Sequence, residues 1–400
     1  MADKLIVISE DRKIISAGFS DHVLMSLHAE EENREVIPGS IYLGRIMQLL
    51  PNVNAAFVKV CDTENWYLPL EKCTCPVGNA VHGDGKLHVG DTVLVQVERE
   101  AAKNKTVTVI GDFSLTGCFY VLMHGKSGLH VSKKITDRER EAGVRKLTEE
   151  LLNTLASSGL PIGIMLRTES VNQPDSVLGA ELTLLIESYR RLIKKAESSL
   201  PGTCLVKAIP GYLKELRDSY SGTVGEYITD NRSIYEEMKA FLTDYRPDEA
   251  SKLSFYEDPN LSLSKLYGID THIRELLGKK VWLKSGAFLV IEQTEAMVVI
   301  DVNSGKGTAG RKNDFLSLNT EAAREICRQL ILRNLSGIIM IDFISMKTDS
   351  ERSSLMEFLR RELKKDRVRT ELVEMTKLGL VEITRAKTGK PLSEEFSGKV

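Results

Sequence analysis

Met297-Val298-Val299-Ile300-Asp301-Val302-Asn303-Ser304-Gly305 is an apolar run that closes on a carboxylate and an amide. Gly337-Ile338-Ile339-Met340-Ile341-Asp342-Phe343 repeats the pattern further along the chain. A short unbroken run of this kind reads as a strand buried on both faces, although its periodicity alone leaves a buried helix open. Between the two runs, Thr320 to Leu335 carries Ala323, Ile326, Leu330 and Ile331 at helical spacing. Asn319 or Thr320 can cap that helix, and Glu321 favours its first turn. Strand, helix, strand predicts two neighbouring strands with Asp301 and Asp342 side by side. Paired carboxylates suit Mg²⁺, which keeps several waters and takes one or two protein carboxylates. Asn303 points to the same side as Asp301 and can orient a phosphate. For either Asp alone, capping the turn that follows it is the better reading. The pair, with Asn303 and Gly305, favours a metal site.

The chain has 400 residues, more than one core normally serves, and its 42% apolar content supplies several. A formal net charge of -2 excludes a wholesale nucleic-acid coat, so any nucleic-acid surface is local. No stretch is long and apolar enough to span a membrane, and the start lacks the apolar core of a signal peptide, so the expected location is cytoplasmic. The six cysteines are scattered, and Cys73-Thr74-Cys75 is not a zinc-ribbon spacing.

The remaining segments predict a multidomain, mixed α/β (α+β) chain. Residues 1–35 read as a β-meander too small for its own core, to be completed by a later segment. Residues 36–117 hold five short strands with Gly punctuation, the pattern of an OB-type barrel. There Phe57 and Tyr67 stand among Arg45, Lys59 and Lys105. Aromatics among cations on a barrel face can stack bases and pair phosphates, while barrel filling is their commoner role. Residues 118–203 read as strand, helix, strand, helix, with Arg167-Thr168 at a strand end, where a guanidinium fork beside a hydroxyl can hold a phosphate. Residues 204–277 alternate strand and helix and are grouped with 1–35. Residues 278–386 contain the opening stretch, a hairpin before it and a helix over Asp349 to Lys365. The tail 387–400 is polar and expected to be loose.

The order of these signatures resembles the ribonuclease E/G family of bacterial endoribonucleases. The strongest matches are Glu295-Ala296 with Ile300-Asp301-Val302-Asn303-Ser304, Asn319-Thr320-Glu321-Ala322-Ala323-Arg324-Glu325-Ile326, Arg328-Gln329-Leu330 with Leu332-Arg333, and Ile341-Asp342-Phe343-Ile344. Ala55-Ala56-Phe57-Val58, Leu68-Pro69-Leu70, Tyr120-Val121-Leu122-Met123 and Arg167-Thr168 extend it over about residues 36–386.

The resemblance implies a ribonuclease H-like domain split between 1–35 and 204–277, and an S1-type OB domain at 36–117. It implies a 5′-sensor domain at 118–203 and a deoxyribonuclease I-like catalytic domain at 278–386. Asp301 and Asp342 match the Mg²⁺-holding carboxylates, with Mn²⁺ as an alternative ion, and Asn303 matches the amide that supports the scissile phosphate. Arg333 and Arg369 match basic residues near that phosphate. Arg167 and Thr168 match the pocket for a 5′-monophosphate end, and Phe57, Tyr67 and Lys105 match the RNA-gripping face of the barrel.

The implied activity is hydrolysis of single-stranded RNA to 5′-phosphate and 3′-hydroxyl ends, in RNA processing such as ribosomal RNA maturation. A homo-oligomer is compatible with it. A non-catalytic RNA-binding protein and a single-strand phosphodiesterase that also cuts DNA stay open as alternatives. The chain departs from the family pattern at Ser345, where an Asp is usual, and at Glu169-Ser170, where small residues are usual. The family's Cys-Pro-x-Cys zinc link and the scaffold tail of some members are not found here, so neither zinc nor a degradosome tail is expected.

Overall fold

A computed structural model of the chain describes residues 3–32, 34, 36–60, 64–78, 86–101, 106–135, 137–155, 162–218, 224–305 and 315–396. The structure is mixed α/β. In chain order the elements are β1 (Lys4–Glu10), β2 (Lys13–Ser20), β3 (Val23–Glu31), β4 (Ile41–Leu50), β5 (Ala55–Lys59), β6 (Asn65–Pro69), β7 (Thr92–Arg99) and β8 (Thr108–Ile110). There follow β9 (Ser114–Thr116), β10 (Tyr120–His124), β11 (Gly128–Val131), α1 (Arg138–Leu155), β12 (Ile162–Leu166), α2 (Asp175–Ser198), β13 (Cys204–Val206) and α3 (Gly211–Asp218). Next come β14 (Glu226–Thr229), α4 (Arg232–Tyr245), β15 (Leu253–Phe255), α5 (Leu263–Leu266), α6 (Ile269–Leu277), β16 (Lys280–Trp282), β17 (Phe288–Gln293) and β18 (Met297–Asn303). The last are α7 (Phe315–Leu332), β19 (Gly337–Asp342), α8 (Asp349–Leu363), β20 (Thr370–Met375), β21 (Val381–Arg385) and α9 (Leu392–Glu395). These elements form two compact units, one of Met1–Glu32, Gly222–Ala240 and Asp248–Val400, the other of Asn33–Ser221 and Phe241–Pro247.

The second unit contains a five-stranded barrel. Its strands run β4-β5-β6-β8-β7, and pairing of β4 with β7 closes it. Alternation decides which side chains fill it: Ala56, Val58, Trp66 and Leu68 are buried, while Phe57 and Tyr67 between them are only partly so. Gly44 is required in β4, because a Cβ there would collide with Val58 Cγ1 across the strand pair. Beside the barrel a sheet of order β11-β12-β10-β9 packs Tyr120, Leu122, Ile164 and Leu166 against Leu178, Leu182 and Tyr189 of α2. Residues 204–218 lie in this unit and not with 1–35, because β13 pairs with β4 of the barrel sheet.

In the first unit, β1 lies parallel to β14 and antiparallel to β2, in a sheet of order β15-β14-β1-β2-β3. A six-stranded sheet, β16-β17-β18-β19-β21-β20, carries the opening stretch. α7 and α8 cover one of its faces: Ala322, Ile326, Leu330, Leu355 and Leu359 pack with Val298, Ile300, Ile339 and Ile341 in one core. Each fully buried Leu or Ile contributes about 2–3 kcal/mol by leaving water. Thr348 and Glu351 close a reciprocal capping box that starts α8.

Three expectations are corrected here. The runs at 297–303 and 337–342 are not buried on both faces. Val298, Ile300 and Val302 face the helices, whereas Met297, Val299 and Ile338 lie exposed on the open face. Asn319 does not cap a helix, since α7 begins at Phe315 and Asn319 is buried inside it. The segment after 386 is not loose throughout, because Leu392 and Phe396 are buried in the core shared with Leu24, Leu27 and Leu332.

Candidate active site

β18 and β19 are parallel neighbours, and their register sets Asp301 directly opposite Asp342. Adjacent strands stand about 4.8 Å apart, so the two carboxylates share one end of one face. Both residues are exposed to solvent. Asn303 Nδ2 donates to Asp301 Oδ2 at 2.7 Å, which fixes the orientation of that carboxylate. Gly305 then turns the chain sharply at φ 70°, tucked against the Gly286 carbonyl of the β16–β17 turn, where a Cβ would not fit. On the other side, Asn319 clamps the chain after Asp342. Its Oδ1 accepts from the Ile344 N–H at 3.1 Å and its Nδ2 donates to the Ile344 carbonyl at 2.8 Å. Sequence reasoning missed this role, since the bonding partner is 25 residues away on another element.

The donor set fits a hard divalent cation. Two exposed carboxylates at adjacent strand ends supply the one or two protein ligands that Mg²⁺ takes while keeping most of its waters. No group of three His, Cys, Asp or Glu side chains that could hold a metal occurs among the described residues.

Arg333 and Arg369 do not join this site. α7 has 18 residues, roughly 27 Å of helix, and Arg333 follows its far end. The side chain is buried, with Nε donating to Gln329 Oε1 at 2.6 Å and Nη1 to the Gly278 carbonyl at 2.7 Å. Burial lowers its pKa to about 10. Arg369 precedes β20, whose first residue Thr370 is opposite Arg385, itself opposite Gly337. It therefore lies at the N-terminal end of β19, away from Asp342, and its guanidinium pairs with Glu371 at 2.7 Å. Among the described residues, the topology brings Lys284, in the β16–β17 turn, and Lys347, in the segment after β19, to the carboxylate end, and sets Lys280 level with Asp301 across β17.

Arg167 is committed internally. Nη1 donates to the Gly117 carbonyl at 2.7 Å, and Nη2 pairs with Asp218 at 2.7 Å. Burial works against the charge of Asp218, but Arg217 and Arg167 together hold its carboxyl below the usual range. Thr168 Oγ1 is bonded to Ser132 Oγ at 3.1 Å. Arg167→Ala is expected to cost about 2 kcal/mol of stability, as loss of charge-assisted hydrogen bonds does, checked by urea denaturation. An unchanged midpoint would mean that these bonds contribute nothing net. On the barrel, Phe57 and Tyr67 are directly opposite on β5 and β6, with ring centroids 6.4 Å apart in an edge-on contact. Lys105 lies outside the described residues.

Residues 114–388 match the family described as Ribonuclease E/G family, which is most of the chain. The chain belongs to the ribonuclease E/G family. It is 32% identical to Ribonuclease E of Synechocystis sp. over 403 residues, covering 98% of this chain and 58% of that protein. It is 30% identical to Ribonuclease E of Nostoc sp., covering 98% of this chain and 57% of that protein. Ribonuclease G of Escherichia coli K12 is 30% identical over 379 residues, covering 92% of this chain and 76% of the relative. The chain thus spans somewhat more than half the length of the two ribonucleases E. The family match takes in the carboxylates, Asn303 and Arg167, and the alignments to the relatives reach the barrel as well.

Proposed function

We propose that this ribonuclease E/G family chain is an endoribonuclease that hydrolyses single-stranded RNA with the help of Mg²⁺. The observation that carries the reading is the register of Asp301 against Asp342, with Asn303 beside them on an open sheet face. Mg²⁺ held there, or Mn²⁺ in its place, supplies Lewis-acid stabilisation of phosphate charge and lowers the pKa of water. Asp301 and Asp342 hold the ion. Asn303 spends one N–H on Asp301, which leaves its second N–H and its carbonyl for the RNA backbone. Lys284 and Lys347 add positive charge at the end of the sheet where a phosphate would sit. In-line attack by water would leave 5′-phosphate and 3′-hydroxyl ends.

The same reading takes residues 36–117 as an S1-type OB domain and the sheet of 118–203 as the counterpart of a 5′-sensor domain. The β1–β3 sheet is taken as ribonuclease H-like and the six-stranded sheet as deoxyribonuclease I-like. Action in the cytoplasm on ribosomal RNA precursors, as a homo-oligomer, completes it. Phe57 and Tyr67 are the stacking face of the barrel, which calls for unpaired bases. Alanine at either position is expected to weaken binding of a single-stranded RNA by roughly tenfold in Kd, at about 1–3 kcal/mol per stacked base. Anisotropy in EDTA reads this directly, and affinity equal to wild type would remove the barrel from the reading. Because Arg167 is held by Asp218, RNAs with 5′-monophosphate and 5′-hydroxyl ends are expected to be cut at closely similar rates.

The deciding assay incubates one A/U-rich RNA, and a DNA of the same sequence, with the protein in Mg²⁺ and in EDTA. Internal cutting of the RNA in Mg²⁺ alone supports the reading. Binding of RNA without any cutting would overturn it.

A further inference from the structure

We propose that Trp282, Phe288 and Lys280 form a subsite for the RNA strand beside the carboxylates, stacking a base and pairing the phosphate next to it. The inference rests on the endoribonuclease reading above and extends it to substrate recognition. Trp282 is 64% exposed, an unusual state for the side chain with most to gain from burial. It is directly opposite Phe288 in the β16–β17 pair, with ring centroids 5.2 Å apart. Lys280, two residues earlier on the same face, sets its ammonium 3.9 Å from the Trp282 ring centroid and 3.7 Å from that of Phe288. Cation–π attraction to two rings restrains a side chain that is otherwise mobile. The ammonium is thereby presented at a fixed place on the sheet, as a point charge for a phosphate oxygen.

Register ties this cluster to the chemistry. Phe288 is opposite Asn303, and Val290, which Lys280 faces, is opposite Asp301. Partners in register point to the same face, so the rings, the ammonium, Asn303 and Asp301 all share the open side of the sheet. Phe288 is one strand spacing from Asn303 and Trp282 two, about 5 and 10 Å. A strand whose phosphate sits at Asp301 and Asp342 would therefore pass its neighbouring nucleotide over Phe288 and Trp282, toward the edge at β16. The same face turns aliphatic away from the carboxylates, at Met297, Val299 and Ile338, which offer no ring to stack on. Trp282 and Phe288 lie on β16 and β17, and β17 borders the strand that carries Asp301 and Asn303.

Tryptophan emission gives a direct test, because the chain has two tryptophans and Trp66 is 2% exposed inside the barrel. The full chain is titrated in EDTA with a short A/U-rich oligoribonucleotide. Quenching of the exposed-tryptophan emission is expected, and its loss in Trp282→Leu. In Mg²⁺, Trp282→Ala is expected to raise KM for that oligonucleotide roughly 5- to 100-fold, the effect of one lost stacked base, while Trp282→Tyr stays near wild type. Phe288→Leu, which keeps the bulk on the sheet, should raise KM as well. Cutting by wild type with no quenching and no change of KM in Trp282→Ala would overturn the subsite alone. Quenching without any cutting would support the subsite and overturn the endoribonuclease reading. Emission that changes with protein concentration, and not with RNA, would assign the face to a second copy of the chain and overturn the proposal.

Discussion

Asp301→Asn is expected to slow Mg²⁺-dependent RNA cleavage by about three orders of magnitude, roughly 4 kcal/mol of barrier. The substitution keeps the shape of the side chain, and its amide oxygen can still accept from Asn303. What it removes is one of two charges set in register across β18 and β19. A divalent ion held by two carboxylates and otherwise by water has little else to compensate that loss. Folding should hardly change, since Asp301 is exposed and surface replacements usually stay within about 0.5 kcal/mol. Relief of repulsion between neighbouring carboxylates can even add a little stability. Single-turnover cleavage, with RNA affinity measured in EDTA alongside, separates the two effects. A rate within tenfold of wild type would remove Asp301 from the metal site.

Arg385→Met is expected to cost about 3–5 kcal/mol of stability, with the rate per folded molecule unchanged. Arg385 Nε pairs with Asp366 Oδ2 at 2.8 Å, with the two side chains 3% and 6% exposed. Its Nη1 donates to Asn334 Oδ1 and to the Leu335 carbonyl at 3.0 and 2.9 Å. Thr370 Oγ1 and the Val368 N–H hold the same Asp366 carboxylate. Removing the guanidinium takes the ion-pair partner at 2.8 Å from a buried carboxylate. This cluster joins β21 to the segments around β20 and β19 at the end of the sheet remote from Asp301, so it governs folding and not chemistry. The midpoint of urea unfolding reads the loss. Replacing Asp366 by Leu in the same chain should restore part of it, since the buried carboxylate is then gone. A loss below about 1 kcal/mol would show that the pair is hydrated in solution.

Asp301, Asp342 and their partnership were legible because two apolar runs closing on carboxylates, joined by a helix, have few other arrangements. The open face was not legible: Met297, Val299 and Ile338 are as apolar as their buried neighbours, so alternation is silent in composition. It emerges only from α7 and α8 lying on the same side. The misplacement of Arg333 had a different origin. In a strand–helix–strand unit the helix returns the chain to the strands' starting end, so a residue at its C-terminus cannot reach the strand tips. Arg167 was correctly seen at a strand end, but its partner Asp218 lies 51 residues on, where no local pattern points. Leu392 and Phe396 were passed over because two apolar residues in a polar tail carry little periodic signal.

Pairing of β1 with β14 also sets an order of events during synthesis. The Asn33–Ser221 segment is emitted between the two strands, and at about 5–20 residues per second it takes roughly 10–40 s to appear. Throughout that interval Ile6, Val7 and Ile8, which end with almost no exposure, have no sheet partner beyond β2 and β3. The nested unit can finish its own barrel in that time, while the emerged β1–β3 segment carries an unpaired apolar strand edge. Such an edge is the kind of surface that chaperones shield and that aggregates when they do not. Yield of folded protein should therefore depend on how quickly translation reaches Glu226, a demand placed on the ribosome by topology and by no residue of the site.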